Sequence, residues 1–82
     1  MGQTPAVALR AVIHGEEREL LVAAVEGLPP RQRAVVRLRL FHDLSFREIA
    51  ESEGISENNA KVNFHHGVKR IRQRILEGGA AA

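Results

Sequence analysis

A stretch of polar side chains carries most of the hydrogen-bonding chemistry in this sequence. It lies between residues 57 and 63 and contains Asn58, Asn59, Lys61 and Asn63, with little apolar side chain among them. Carboxamides both donate and accept hydrogen bonds, whereas lysine only donates. A helix that only had to pack against a core would not need so many polar groups near its start. The stretch therefore predicts a surface that recognises a partner through directed hydrogen bonds.

A basic segment overlaps this stretch. Residues 61–76 contain five lysines and arginines and no acidic residue, although the chain of 82 residues has a formal net charge of only +2. Lys61, His65, Lys69 and Arg72 recur at spacings of four, four and three, which places them on one face of a helix. Such a face is the electrostatic complement of a nucleic-acid backbone.

The elements that position these side chains begin with a short helix. Ser45 is followed three residues later by Glu48, a capping box that predicts a helix starting at Phe46. Gly54 predicts its end, because glycine readily adopts the left-handed conformation that closes a helix. The small side chain of Ala50 would let a second helix approach this one closely.

A longer helix follows after a turn. Ser56 is a favourable N-cap, and the helix is predicted to continue to about Leu76. Its apolar residues recur at spacings of four, four, three and four, and are Ala60, Phe64, Val68, Ile71 and Ile75. This seam predicts the face that anchors the helix on the domain. A short helix, a turn that contains glycine and a longer helix follow one another, and this order predicts a helix-turn-helix. Ile55 is expected to hold the turn to the core.

The second helix of a helix-turn-helix inserts its first residues into the major groove of DNA. We therefore predict base contacts from Asn58, Asn59, Lys61, Val62 and Asn63. We predict phosphate contacts from Arg33, Arg47, His65, His66, Lys69 and Arg70. The alternative is that the polar residues are solvated residues of a helix start, where asparagine and glutamate are common.

The first half of the chain predicts supporting helices, so the fold is all-α with four to five helices. Residues 1–15 are alanine-rich and are interpreted as a leader or linker remnant, residues 16–77 as the domain, and residues 78–82 as a flexible tail. A first helix is predicted over residues 16–26, and a second begins at Pro30 and continues to about His42.

The apolar residues of these two helices leave one question open. The first helix carries the stripe Leu20, Leu21, Ala24 and Val25, and one face of the second carries Ala34, Val35, Leu38 and Phe41, which we predict to be core. Val36 and Leu40 fall on the far side of the second helix. They either pack under the first helix or, together with Leu20 and Leu21, form a surface that binds a protein partner.

Several classes of protein are disfavoured. The chain has no cysteine, no signal peptide and no apolar run of the roughly 20 residues that cross a bilayer. A soluble cytoplasmic protein without membrane contact is expected. His14, His42, His65 and His66 lie on different elements or point apart, so we predict no catalytic or metal site, no cofactor and no small-molecule substrate.

The segment LPPRQRAVVRLRLFHDLSFREIAESEGIS, followed by NAKVNFHHGVKRIR, resembles region four, the C-terminal domain of bacterial RNA polymerase sigma factors, particularly the extracytoplasmic-function group. The resemblance covers residues 17–75. It implies binding to the minus-35 element of promoter DNA, docking on the flap of the polymerase β subunit, and masking by anti-sigma proteins. A protein-interaction module that binds the flap or an anti-sigma factor is the alternative.

The output domains of response regulators share the SFREIAE pattern, but the 15 residues from Arg31 through Ser45 match the sigma spacing. The sequence departs from the sigma pattern at four places. Glu53 stands where a large aliphatic residue is usual, and we expect it to turn to solvent or to pair with a basic residue such as Lys61. Asn59 and Ala60 stand where a small β-branched pair is usual, and Asn63 and His66 stand where arginines are usual. The resemblance therefore does not imply which DNA sequence this chain recognises.

Overall fold

Four helices make up the part of the chain that the structure describes. This computed structural model describes the backbone of residues 15–81 and the side chains of residues 17–77. The helices are α1 (Gly15–Glu26), α2 (Pro30–Phe41), α3 (Phe46–Glu53) and α4 (Glu57–Ala81). No strand occurs within residues 15–81, so the predicted all-α class is confirmed. The interpretation of residues 1–15 as a leader falls almost entirely outside this range.

The helix boundaries follow from local capping chemistry. Pro29 and Pro30 occupy the N-cap and first position of α2. The Ser45 hydroxyl accepts a hydrogen bond from the Glu48 N–H at 3.0 Å, and the Glu48 carboxylate accepts one from the Ser45 N–H at 2.8 Å, which completes the predicted capping box. Helix α4 continues beyond the predicted end near Leu76, and the backbone of residues 78–81 is helical.

The capping box makes a pH-dependent contribution to folding. The hydrogen bond from the Ser45 backbone N–H lowers the pKa of the Glu48 carboxyl, and the Ser45 side chain lowers it further. A carboxyl whose pKa is lower in the folded state stabilises the protein above its unfolded-state pKa. That stability is lost as the pH falls through the folded-state value.

The packing of helix α2 corrects part of the sequence interpretation. This helix contacts α1, α3 and α4. Val36 and Leu40 are at most 1% exposed, and Leu21 of α1 is 2% exposed, so these three residues are core. Their predicted role in a partner-binding surface is therefore wrong. Among the four residues predicted for that surface, only Leu20, at 60% exposed, reaches solvent.

The predicted core face of α2 is also only partly right. Val35 is buried, but Ala34, Leu38 and Phe41 are half-buried. A helix at the periphery buries one stripe, whereas a helix packed against three neighbours buries residues around more of its circumference.

Within residues 15–81, no helix combines the length and hydropathy that would span a membrane.

A glycine marks the closest approach of α2 and α4. Gly67 is buried, and a Cβ atom built on it would lie 2.6 Å from Cγ2 of Val36 and 3.3 Å from Cδ1 of Leu28. The absence of a side chain at Gly67 therefore lets the two helices approach here. The anchoring seam of α4 consists of Ala60, Phe64, Gly67 and Ile71, and the half-buried Val68 borders it.

Replacing Gly67 by alanine is expected to lower the free energy of unfolding by about 1 to 2 kcal/mol. Alanine favours a helix over glycine by up to about 1 kcal/mol, but inserting a methyl group into a filled space costs about 1 to 3 kcal/mol, and the valine methyls have little freedom to move. Urea denaturation of the purified protein measures the change. In the double variant Gly67→Ala/Val36→Ala the cost should be smaller than the sum of the two single costs. An unchanged or raised stability of Gly67→Ala would contradict the close approach.

Candidate nucleic-acid interface

Contacts at both ends of α3 hold the helix-turn-helix on the rest of the domain. At its start, the Arg39 guanidinium lies 4.6 Å from the centre of the Phe46 ring, and its Nη1 donates to the Leu44 carbonyl at 2.9 Å. The Phe46 ring contacts Phe64 of α4 edge to face, with 5.4 Å between ring centres. The orientation of α3 is thus set by contacts to both α2 and α4.

The end of α3 is held by an ion pair with α2. Nη1 of Arg31 lies 3.2 Å from Oε1 of Glu53 and 3.3 Å from the Glu53 carbonyl. The expectation that Glu53 pairs with a basic residue is confirmed, but the partner is Arg31. Lys61, the partner suggested by the sequence, pairs with Glu57 instead. The pairing with Arg31 gives the half-buried Glu53 carboxylate a partner of opposite charge.

The turn between α3 and α4 has the predicted left-handed glycine. Gly54 has φ 68° and ψ 35°, and the N–H of Ile55 donates to the Ala50 carbonyl at 3.0 Å. Ile55 is half-buried against the core. Ser56 then caps α4, because its hydroxyl accepts from the Asn59 N–H at 2.9 Å. The predicted helix-turn-helix is therefore present in the structure.

Most of the residues predicted to read bases are exposed at the start of α4. Asn58, Asn59, Lys61 and Val62 are exposed, while Asn63 is half-buried. Val62 is 43% exposed on the side of the helix away from Ala60 and Phe64, which are buried. An apolar group here can contact a thymine methyl, and the N–H groups at the helix start favour a phosphate nearby.

Two asparagines of this set are bonded to each other. Nδ2 of Asn63 donates to the Asn59 backbone carbonyl at 3.0 Å and also to Oδ1 of Asn59. A carbonyl oxygen only accepts, so the Asn63 atom facing it is the amide nitrogen. The Asn59 side-chain atom facing that nitrogen is consequently the oxygen. Both carboxamides thus have a defined orientation.

Two residues of the basic face have local partners. Nζ of Lys61 lies 3.8 Å from a carboxylate oxygen of Glu57, an exposed pair of the kind that contributes little to stability and can open on binding. Nδ1 of His65 lies 2.7 Å from the Lys61 carbonyl, so Nδ1 carries the hydrogen. The other nitrogen, Nε2, can donate to a phosphate only when the imidazole is protonated.

Three of the predicted phosphate ligands lie side by side. His66, Lys69 and Arg70 are exposed and line a shallow groove on the flank of α4, together with Gln32 of α2 and Gln73. The sequence interpretation missed Gln32 and Gln73. Gln73 was detectable because it follows Lys69 and Arg70 on the same helical flank, whereas Gln32 reaches the groove only through the packing of α2 on α4.

Arg33 and Arg47 stand apart from this groove. Arg33 is half-buried, and its Nη1 donates to the Glu26 carbonyl at 3.4 Å, where a cation complements the negative end of α1. The structure therefore gives it a helix-capping contact. Arg47 is exposed on α3 and pairs with Glu51 at 3.9 Å.

Among the described side chains, no group of histidines and carboxylates is arranged to hold a metal ion.

The fold and this surface define a helix-turn-helix domain of the DNA-binding class, and comparison with known proteins narrows the class. Residues 18–71 match the family described as sigma-70, region 4. The chain is 36% identical over 59 residues to the RNA polymerase sigma-E factor of Streptomyces antibioticus, covering 72% of this chain and 33% of the relative. It is 35% identical over 60 residues to the sigma factor SigF of Mycobacterium tuberculosis, covering 73% and 23%. No solved structure gives a significant match.

The chain belongs to the sigma-70 region 4 family, because the match covers well over half of its residues. This confirms the resemblance carried by the LPPRQR and SFREIAE segments. A further relative, the sigma factor SigV of Bacillus subtilis, is 33% identical over 54 residues, covering 66% of this chain and 32% of the relative. The chain spans about a third of the length of the first curated relatives it matches.

Proposed function

We propose that this domain recognises the minus-35 element of bacterial promoters during transcription initiation, together with RNA polymerase. The observation that carries the proposal is the outward surface of α4. Its first two turns expose carboxamides and a lysine, and its later turns expose His66, Lys69 and Arg70 in one groove. A recognition helix enters the major groove with its first residues, so hydrogen-bonding groups there and basic residues further along suit contacts to bases and to phosphates. Family membership and the names of the sigma-factor relatives support the same function.

Binding in isolation is expected to be weak and sensitive to salt. Few phosphate contacts are available to one helix-turn-helix, and a single module of this kind binds non-specific DNA with a Kd of about 10⁻⁴ to 10⁻⁶ M. Attachment to the polymerase would raise the effective concentration of the domain at the promoter.

Selection from a randomised duplex pool at low salt tests the proposal. The 82-residue protein is used, the bound fraction is sequenced and the dependence of affinity on salt is measured. Enrichment of a short motif supports sequence recognition by α4. Salt-sensitive binding without enrichment, or no binding at all, would overturn promoter recognition as a property of this domain.

Two substitutions on α4 should separate base contacts from phosphate contacts. Lys69→Ala is expected to weaken binding similarly on all duplexes and to reduce the salt slope by about one. Asn59→Ala is expected to lose about 1 to 3 kcal/mol of binding free energy on the selected site and little on other sequences. Fluorescence anisotropy on the selected and a scrambled duplex measures both. Equal losses on the two duplexes for Asn59→Ala would contradict its base-reading role.

A protein-contact function is the second candidate. Leu20 is 60% and Leu76 is 65% exposed, so a protein partner that covered either side chain would remove apolar surface from water. The polymerase flap or an anti-sigma factor would be the partner. This proposal concerns Leu20 and not Leu21, Val36 or Leu40, because the last three lie in the core.

A further inference from the structure

The bonded pair of Asn59 and Asn63 gives the two carboxamides different hydrogen-bonding capacities. Asn63 uses its amide group on the Asn59 backbone carbonyl and on Asn59 Oδ1. With both of its hydrogens engaged, Asn63 has no donor left for DNA. Asn59 keeps both hydrogens of its own Nδ2, and its oxygen faces Asn63. Because Oδ1 of Asn59 is directed at Asn63, the group that Asn59 turns the other way is its Nδ2, a donor with two hydrogens.

The backbone that carries this pair is held in place. The residues are four apart on α4, so their side chains lie on one flank of the helix. The Asn59 backbone N–H is held by the Ser56 hydroxyl at 2.9 Å, which anchors the first turn. Asn59 is exposed whereas Asn63 is half-buried, as expected if one residue contacts the ligand and the other supports it.

Base chemistry then distinguishes the possible targets. In the major groove, guanine presents two neighbouring acceptors, N7 and O6. Adenine presents one acceptor beside a donor, thymine presents one acceptor beside a methyl group, and cytosine presents a donor. An amino group that offers two hydrogens and no acceptor is satisfied best by guanine.

We infer that Asn63 is a positioning residue that turns the Asn59 carboxamide so that its amide group reads a guanine in the major groove. This inference rests on the proposed function and deepens it. The sequence predicted a direct base contact from Asn63. In this inference Asn63 instead affects base recognition only by orienting Asn59. A single asparagine reading adenine would point its oxygen and its nitrogen at the base together, whereas the bond to Asn63 directs the Asn59 oxygen toward Asn63.

Modified bases test which atoms are read. In the duplex selected by the wild-type protein, each guanine is replaced in turn by 7-deazaguanine, which lacks the N7 acceptor. At one guanine the affinity should fall about five- to tenfold, in keeping with the loss of part of a two-bond contact. Inosine at the same position keeps N7 and O6 and is the matched control, so it should bind within about twofold of guanine.

Variants of Asn63 test the positioning role. In Asn63→Ala the Asn59 carboxamide is free to rotate, so the preference for guanine over adenine at that position should fall at least about fivefold. Asn63→Asp offers only acceptors, which would draw Asn59 Nδ2 inward and turn its oxygen to the DNA, and the guanine preference should be lost. Each preference is a ratio measured within one variant, so a general loss of affinity or folding does not change it.

The outcomes separate the two proposals. If the wild-type protein selects no sequence, promoter recognition fails and this inference fails with it. If it selects a motif but every 7-deazaguanine duplex binds as tightly as its parent, promoter recognition stands and this inference is overturned. The same holds if Asn63→Ala and Asn63→Asp keep the wild-type preference for guanine.

Discussion

Replacing Phe64 by alanine is expected to remove about 3 to 5 kcal/mol from the free energy of unfolding. The ring is only 4% exposed, belongs to the core cluster and contacts Phe46 edge to face at 5.4 Å. It therefore holds α4 to α3 as well as to the core. A domain of this size has a total stability of the order of 0.05 to 0.15 kcal/mol per residue, so the expected loss is a large fraction of the total.

Urea denaturation followed by circular dichroism measures the Phe64 effect. Val62→Ala is the matched control, because Val62 lies on the same helix but is 43% exposed. Substitutions at exposed positions usually change stability by less than about 0.5 kcal/mol. A loss below about 1 kcal/mol for Phe64→Ala would show that Phe64 does not hold the two helices together.

The second large effect is expected at the turn of the helix-turn-helix. Gly54 has φ 68°, a conformation that a β-branched residue rarely adopts. Gly54→Val should therefore lower the free energy of unfolding by about 1 to 3 kcal/mol through backbone strain. Relief of that strain would reorient the start of α4, so sequence-specific DNA binding should fall by more than the loss of stability explains.

The surroundings of Gly54 make its control informative. A Cβ atom built there meets nothing within 4 Å, so no clash of that atom contributes to the cost. Asparagine tolerates the left-handed conformation, and Gly54→Asn should cost much less than Gly54→Val. Thermal unfolding of the two variants compares them directly. Equal destabilisation by asparagine and valine would mean that the conformation of the turn is not the cause.

The features predicted correctly from the sequence depend on neighbouring residues. The Ser45 and Glu48 capping box, the left-handed Gly54 and the Ser56 cap each involve residues within a few positions of one another. Their chemistry is therefore readable from spacing alone. The exposure of the basic face of α4 was predictable for a similar reason, since helical periodicity places Lys69 opposite the seam that begins at Ala60.

The features that the sequence interpretation missed depend on how the helices pack. Periodicity correctly placed Val68 against the core, but it missed Gly67, which is buried where α2 approaches, and it included Ile75, which is 37% exposed. Glu53 was expected near Lys61, but the end of α3 meets the first turn of α2 and brings it to Arg31. Contacts of this kind join residues distant along the chain, and no local pattern encodes them.

The sequence by itself determined the helices, their caps, the helix-turn-helix and the basic character of α4, because each depends on propensity, hydrogen bonding or charge within one or two turns. Only the tertiary structure decided that Leu21, Val36 and Leu40 are core and not interface. It also decided how Asn59 and Asn63 share their hydrogen bonds. The physical reason is that burial depends on all the neighbours that a helix acquires. The orientation of an amide likewise depends on the rotamers that both side chains adopt. Spacing along the sequence specifies only which residues share a face.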